Sequence, residues 1–152
     1  TGSINANLLK IIGAKYVIIG HSENRARGDT NYLINLKIKA ALNKNLKVIF
    51  CIGETLHEKK KNKTNLVINS QLSQGLKNIN KNKNILFAYE PVWSIGTGII
   101  PKINDLENQV YKIKKMINKI CKLKNPQILY GGSVNSKNVS QLNKITSKSL
   151  KQ

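Results

Sequence analysis

Asn84-Ile85-Leu86-Phe87-Ala88-Tyr89-Glu90-Pro91-Val92-Trp93-Ser94-Ile95-Gly96-Thr97-Gly98 joins a structural signal to a chemical one. Residues 84–89 are a nearly continuous apolar run that reads as a strand. The run ends on a carboxylate, Glu90, and Pro91 cannot extend the ladder. A bulky Trp93 follows, then Gly96 and Gly98, which permit hinge-like backbone. Three other runs share this design. Tyr16-Val17-Ile18-Ile19-Gly20, a β-branched run with the pattern of a strand buried on both faces, ends in Gly20-His21-Ser22-Glu23. Lys47-Val48-Ile49-Phe50-Cys51-Ile52-Gly53 leads into Glu54. Gln127-Ile128-Leu129-Tyr130-Gly131-Gly132 leads into Ser133-Val134. The runs recur about every 30 to 40 residues, the length of one strand-plus-helix unit.

Helical patterns fill the intervals. Ile103, Leu106, Val110, Ile113, Ile117 and Ile120 lie at alternating spacings of 3 and 4, one face of a helix. Asn104, with Glu107 three residues on, reads as its N-cap. Leu33, Ile34, Ile38, Ala41 and Leu42 mark an earlier helix, with Asn45 as a left-handed stop. Leu66, Val67, Leu72, Leu76 and Ile79 mark another, for which residues 57–63 are either a charged start or a solvated loop. Leu8, Ile11 and Ile12, before Gly13, predict a first helix; Val139 and Leu142, after Ser136, predict a last short one. Strands joined by helices run parallel. The class is therefore α/β, either an open doubly wound sheet or part of a (β/α)8 barrel.

A chain of 152 residues can bury the core of one domain. It contains no run of eighteen apolar residues, so no membrane span is expected. Thr1–Asn5 lack the features of a secretory signal, and a first residue that is not Met predicts that Thr1 is not the natural start. Cys51 and Cys121 have no CxxC spacing, and free thiols in a reducing cytoplasm are expected. The net charge of +19 raises the possibility of a nucleic-acid partner. Against it, only Arg25 and Arg27 of the 26 basic residues are Arg, and Arg is the usual residue for bidentate recognition. The lysines are spread along every helical pattern beside abundant Asn and Ile, which reads as compositional bias with no specific nucleic acid.

In parallel α/β folds functional residues collect at the C-terminal ends of strands. His21 stands there, before a turn that can open a helix. An imidazole at a helix N-terminus is favoured in its neutral form and can donate to a carbonyl that is becoming an enolate. Equally it could satisfy backbone groups. Glu90 is a partly desolvated carboxylate, hence a stronger base, or a structural ion-pair partner. Trp93 and the Gly96-Thr97-Gly98 segment suit a loop that closes over a small ligand, or a plain tight turn. Gly131-Gly132-Ser133 could present backbone N–H groups to a phosphate. Glu23 and Glu54 read as loop tethers.

Taken together, Gly20–Glu23, Cys51–Thr55, Tyr89–Gly98 and Tyr130–Val134 resemble triosephosphate isomerases in order and approximate spacing, from Thr1 to about Leu142. The resemblance implies a (β/α)8 TIM barrel, of which residues 1–152 cover about strands 4 to 7 with their helices. It implies interconversion of dihydroxyacetone phosphate and D-glyceraldehyde 3-phosphate through an enediol(ate), without metal or organic cofactor. Glu90 then matches the base and His21 the neutral electrophile. Pro91, Val92, Trp93, Ser94, Ile95, Gly96 and Thr97 match the lid. Gly96 and Ser133 would offer their N–H groups to the phosphate. Glu23 matches a carboxylate beside the catalytic lysine, and Cys51 a structural cysteine behind the site. A cytoplasmic homodimer is implied for the full-length protein.

The departures are equally specific. Asn24 replaces one of the family's paired arginines, which bears on packing. Thr1-Gly2-Ser3 resembles the end of strand 3 but has lost a carboxylate. Lys144–Ser149 shows neither an eighth strand nor its Gly-Gly phosphate nest. The Asn and Lys at the end of strand 1 have no counterpart. Two expectations follow: a partial sequence of a working isomerase, inactive as the isolated piece, or alternatively a non-catalytic truncated remnant or basic nucleic-acid-interacting protein.

Overall fold

The computed structural model describes residues 4–80 and 84–148. The Thr1-Gly2-Ser3 segment, read as a strand end, lies outside them. The elements alternate from α1 (Ala6–Ile11) and β1 (Tyr16–Ile19) through α2 (Ser22–Ala26) and α3 (Asn31–Asn43) to β2 (Lys47–Ile52). They continue with α4 (Leu56–Lys60), α5 (Thr64–Gly75), β3 (Ile85–Tyr89), α6 (Ile103–Cys121), β4 (Ile128–Tyr130) and α7 (Val139–Lys148). The sheet is parallel throughout, in the order β1-β2-β3-β4. Its register sets Ile18 beside Ile49, Ile49 beside Leu86, and Ala88 beside Leu129.

One face of the sheet carries the core. Ile19, Phe50, Ile52, Phe87 and Tyr89 are buried in one cluster with Ile34 and Ile38 of α3, Ile68 and Leu72 of α5, and Ile113 and Ile117 of α6. The Phe50 and Phe87 rings meet at 6.2 Å and 49°. Strand residues alternate faces, and on the opposite face Cys51 and Ala88 are buried while the residues towards the sheet's edges are open. There Ile18 is 56% exposed and Leu129 41%. Burial of β1 on both faces is therefore not observed: β1 is an edge strand, and no layer covers its second face among the described residues.

The local rules account for most boundaries. Asn5 and Thr30 accept from the N–H groups of Leu8 and Leu33 and start α1 and α3. Asn45 adopts φ 54° just beyond α3, the left-handed stop expected there. Residues 57–63 are neither a start of α5 nor a plain loop. Thr55 and Glu58 form a reciprocal capping box, which nucleates the separate short helix α4. Leu76 caps α5, and Ile79 packs into the core from beyond the helix. The expected cap at Asn104 is also corrected. Ile103 is itself helical and packs against the core, so α6 begins after Lys102, without a side-chain cap. Both cysteines are buried and free.

Candidate active site

Glu90 follows β3, and the neighbouring strand ends hold its backbone. Its N–H donates to Ile52 O at 2.8 Å, and Gly131 N–H donates to Tyr89 O at 2.9 Å. Two glycines let these chains approach. A Cβ on Gly53 would stand 1.8 Å from the Glu90 carbonyl oxygen, and one on Gly131 would stand 2.6 Å from Glu90 Cγ. The residue is only 7% exposed. Gln71, on the apolar face of α5, fixes Gly53 from behind by accepting from its N–H and donating to its carbonyl, both at 2.9 Å.

His21 caps α2. Its Nδ1 accepts the Glu23 N–H at 3.4 Å, so the ring proton resides on Nε2. Nε2 faces Glu90 Oε1 at 3.8 Å. Two strand ends thus bring a hydrogen-bond donor and a carboxylate together across a gap. Glu23 contributes its backbone, and its side chain is exposed. Cys51 lies behind Glu90. Burial, then the charge and hydrogen bonding of Glu90, push its thiol far up, so it stays protonated and inert as a nucleophile.

Arg25 organises the β1 and β2 ends. It donates to Gly20 O at 2.7 Å, to Asn31 Oδ1 at 2.7 Å and to Cys51 O at 3.2 Å. Burial lowers its guanidinium from the ordinary value, while Cys51, Asp29 and Glu90 pull the other way. Asn24, one residue earlier, is exposed.

The segment Pro91–Thr97 is docked. A 3-10 turn spans Val92–Ser94. Trp93 donates its indole N–H to Glu54 Oε1 at 3.0 Å, and the Tyr89 hydroxyl donates to the same carboxylate. Burial, then Glu54, raises the Tyr89 phenol. Ser94 Oγ reaches Tyr130 Oη at 2.8 Å. Ser133 closes the far side: its Oγ accepts from Gly98 N–H at 3.0 Å and donates to Ser94 O at 2.6 Å, and its N–H also donates to Ser94 O at 3.0 Å. Thr97 Oγ1 donates to Trp93 O at 3.2 Å. Ile95 is half-buried; Gly96, at φ 69°, is exposed.

Sequence reasoning placed Glu54 as a tether and missed Arg25, Gln71 and Tyr130 as supports. The signal for Gln71 was present: it shares a helical stripe with Ile68, Leu72 and Gly75, where a polar residue requires a buried partner.

The family profile of triosephosphate isomerase matches residues 1–147, five residues past the limit expected from the motifs. The chain is similar to the triosephosphate isomerase of Geotalea uraniireducens, 43% identical over 148 residues. Those residues cover 93% of this chain and 59% of that relative. It is 39% identical to that of Thermodesulfovibrio yellowstonii, covering 93% and 59%. It is 43% identical to that of Mycoplasmopsis pulmonis, covering 95% and 56%. The chain therefore spans less than two thirds of the length of these curated relatives. Its parallel strands are an arc of their TIM barrel, and by its sequence and its fold this chain belongs to the triosephosphate isomerase family.

Proposed function

We propose that the complete protein interconverts dihydroxyacetone phosphate and D-glyceraldehyde 3-phosphate. The observation that carries this reading is the 3.8 Å approach of His21 Nε2 to Glu90 Oε1. An α-hydroxy carbonyl set against the pair offers its carbon to Glu90 and its oxygen to His21. Glu90 removes the proton from C1 of the ketose, and the electron pair moves into the C1–C2 bond and onto the C2 oxygen. The N–H of His21 meets the charge that develops on that oxygen, which is where a fixed donor accelerates such a step most. His21 then gives its Nε2 proton to the C2 oxygen and takes up the proton of O1, while Glu90 returns the carbon proton to C2, giving the aldose. No metal or organic cofactor enters this sequence.

Pro91–Thr97 is the lid on this reading, and the Gly96 and Ser133 N–H groups are the phosphate donors. The Ser133 N–H donates to Ser94 O here, so phosphate binding exchanges that bond. Strands 1 to 3, strand 8 and a substrate-neutralising lysine come from residues beyond this chain, in a cytoplasmic homodimer, and the 152-residue piece alone is inactive. The test is NMR observation of triose phosphate interconversion by the complete barrel and its Glu90→Gln variant. The variant is expected to bind substrate with little change in KM and to lose about 100- to 10,000-fold in kcat. Near-normal turnover by Glu90→Gln would remove the assigned base.

A further inference from the structure

We propose that Lys59 is a positioning residue for the lid, holding Trp93 through the face of its ring. This rests on the isomerase reading only for its kinetic consequence. Lys59 Nζ stands 3.8 Å from the Trp93 ring centroid. That is well inside the range in which a ring quadrupole attracts a cation. The edge of the same indole donates Nε1–H to Glu54 at 3.0 Å. The tryptophan at the start of the lid is therefore gripped on face and edge by opposite charges.

Both charges come from one short, stiff segment. Glu54 follows β2 and is 1% exposed. Lys59 follows five residues later on α4, whose first turn is locked by the Thr55–Glu58 capping box and by Lys59 N–H donating to Thr55 O at 3.0 Å. Val92 N–H donates to Glu54 O at 3.0 Å, so backbone and side chain of the lid's beginning dock on the same segment. Lys59 is half-buried, whereas Lys60 and Lys61 beside it are exposed. A cation above the π cloud also draws electron density from the ring and makes the indole N–H a better donor. The two contacts therefore reinforce one another.

The test follows the Trp93 indole N–H in the complete protein by 15N NMR, with its peak identified by loss in Trp93→Phe. Lys59→Met keeps most of the stem and removes the charge. Its indole N–H is expected to exchange with solvent about threefold faster, the scale of a partly exposed cation–π contact. A mere change of local charge has the opposite sign: losing a cation lowers the hydroxide concentration near the N–H and slows base-catalysed exchange. Lys59→Arg should restore the parent rate, and Lys60→Met, a loss of charge without the ring contact, should not accelerate it. Unchanged or slower exchange in Lys59→Met overturns the proposal, as does equal acceleration in Lys60→Met. In kinetics, Lys59→Met should lower kcat/KM about threefold, with rescue by Lys59→Arg. A parent protein without turnover would sink the isomerase reading alone, because the exchange series decides the role of Lys59 independently.

Discussion

Glu90 is placed by its neighbours more than by its own contacts, and Gly131 is the one that presses on its side chain. A methyl group there would lie 2.6 Å from Glu90 Cγ, with the β4 backbone behind it. Gly131→Ala should therefore displace the carboxylate and lower kcat by about 100-fold, as an ångström-scale misplacement does. Steady-state kinetics on a variant with unchanged thermal stability checks this. Cys51 and Tyr89 give a pH signature. Both hold their protons more tightly folded than unfolded. Above the ordinary cysteine value of 9.0 the unfolded chain ionises first and binds fewer protons than the folded one, so stability falls as pH rises. Their contribution is intact below that value, and melting curves from pH 7 upward should show the decline begin near 9, weakened in Cys51→Ala. At this scale the sequence was legible where residues sit in runs. His21 and Glu90 stand directly after apolar strands, which made them candidates, and the four strand-end segments taken together singled out the pair. Arg25 and Tyr130 act through bonds to segments remote in sequence, and no local pattern announces such bonds.

Elements carry the site by docking on one another. The Gln71 bridge from α5 to the end of β2 is one such joint. Gln71→Leu keeps the volume but leaves Gly53 N–H and C=O without that partner. It should cost about 1–3 kcal/mol, the penalty of buried groups left unpaired, and appear as a lowered denaturation midpoint. Periodicity located α6 because its buried stripe of Leu106, Val110, Ile113 and Ile117 is regular. Its start was misplaced because no capping side chain marks it: Lys102 ends an extended approach, and packing of Ile103 sets the boundary. The opposite happened at α4, where a charged stretch without apolar rhythm is helical because of one capping box. Short helices are set by their ends and long ones by their faces.

The whole molecule is an arc with a covered outer face and an inner one open towards the sheet's edges. Apolar residues on that inner face, Ile18 and Leu129 among them, are exposed. The 152-residue chain by itself is therefore expected to self-associate and to bind an apolar dye, measurable by light scattering and fluorescence. The complete protein should not, with a mass near the roughly 250 residues of an eightfold barrel. The +19 charge does not alter this picture. Arg25 is occupied inside the fold, so the charge rests almost entirely on lysines. Barrel closure was legible in the strand-end segments alone, because a row of parallel strands fits an open sheet equally well. The central claim is that Glu90 moves a carbon-bound proton beside His21. Incubating dihydroxyacetone phosphate with the complete protein in D2O tests it most directly. Deuterium should enter at C2 of the aldose as it forms and at C1 of the ketose that reverts, and Glu90→Gln should suppress that exchange by at least about 100-fold. Exchange in Glu90→Gln at the parent rate would contradict the account.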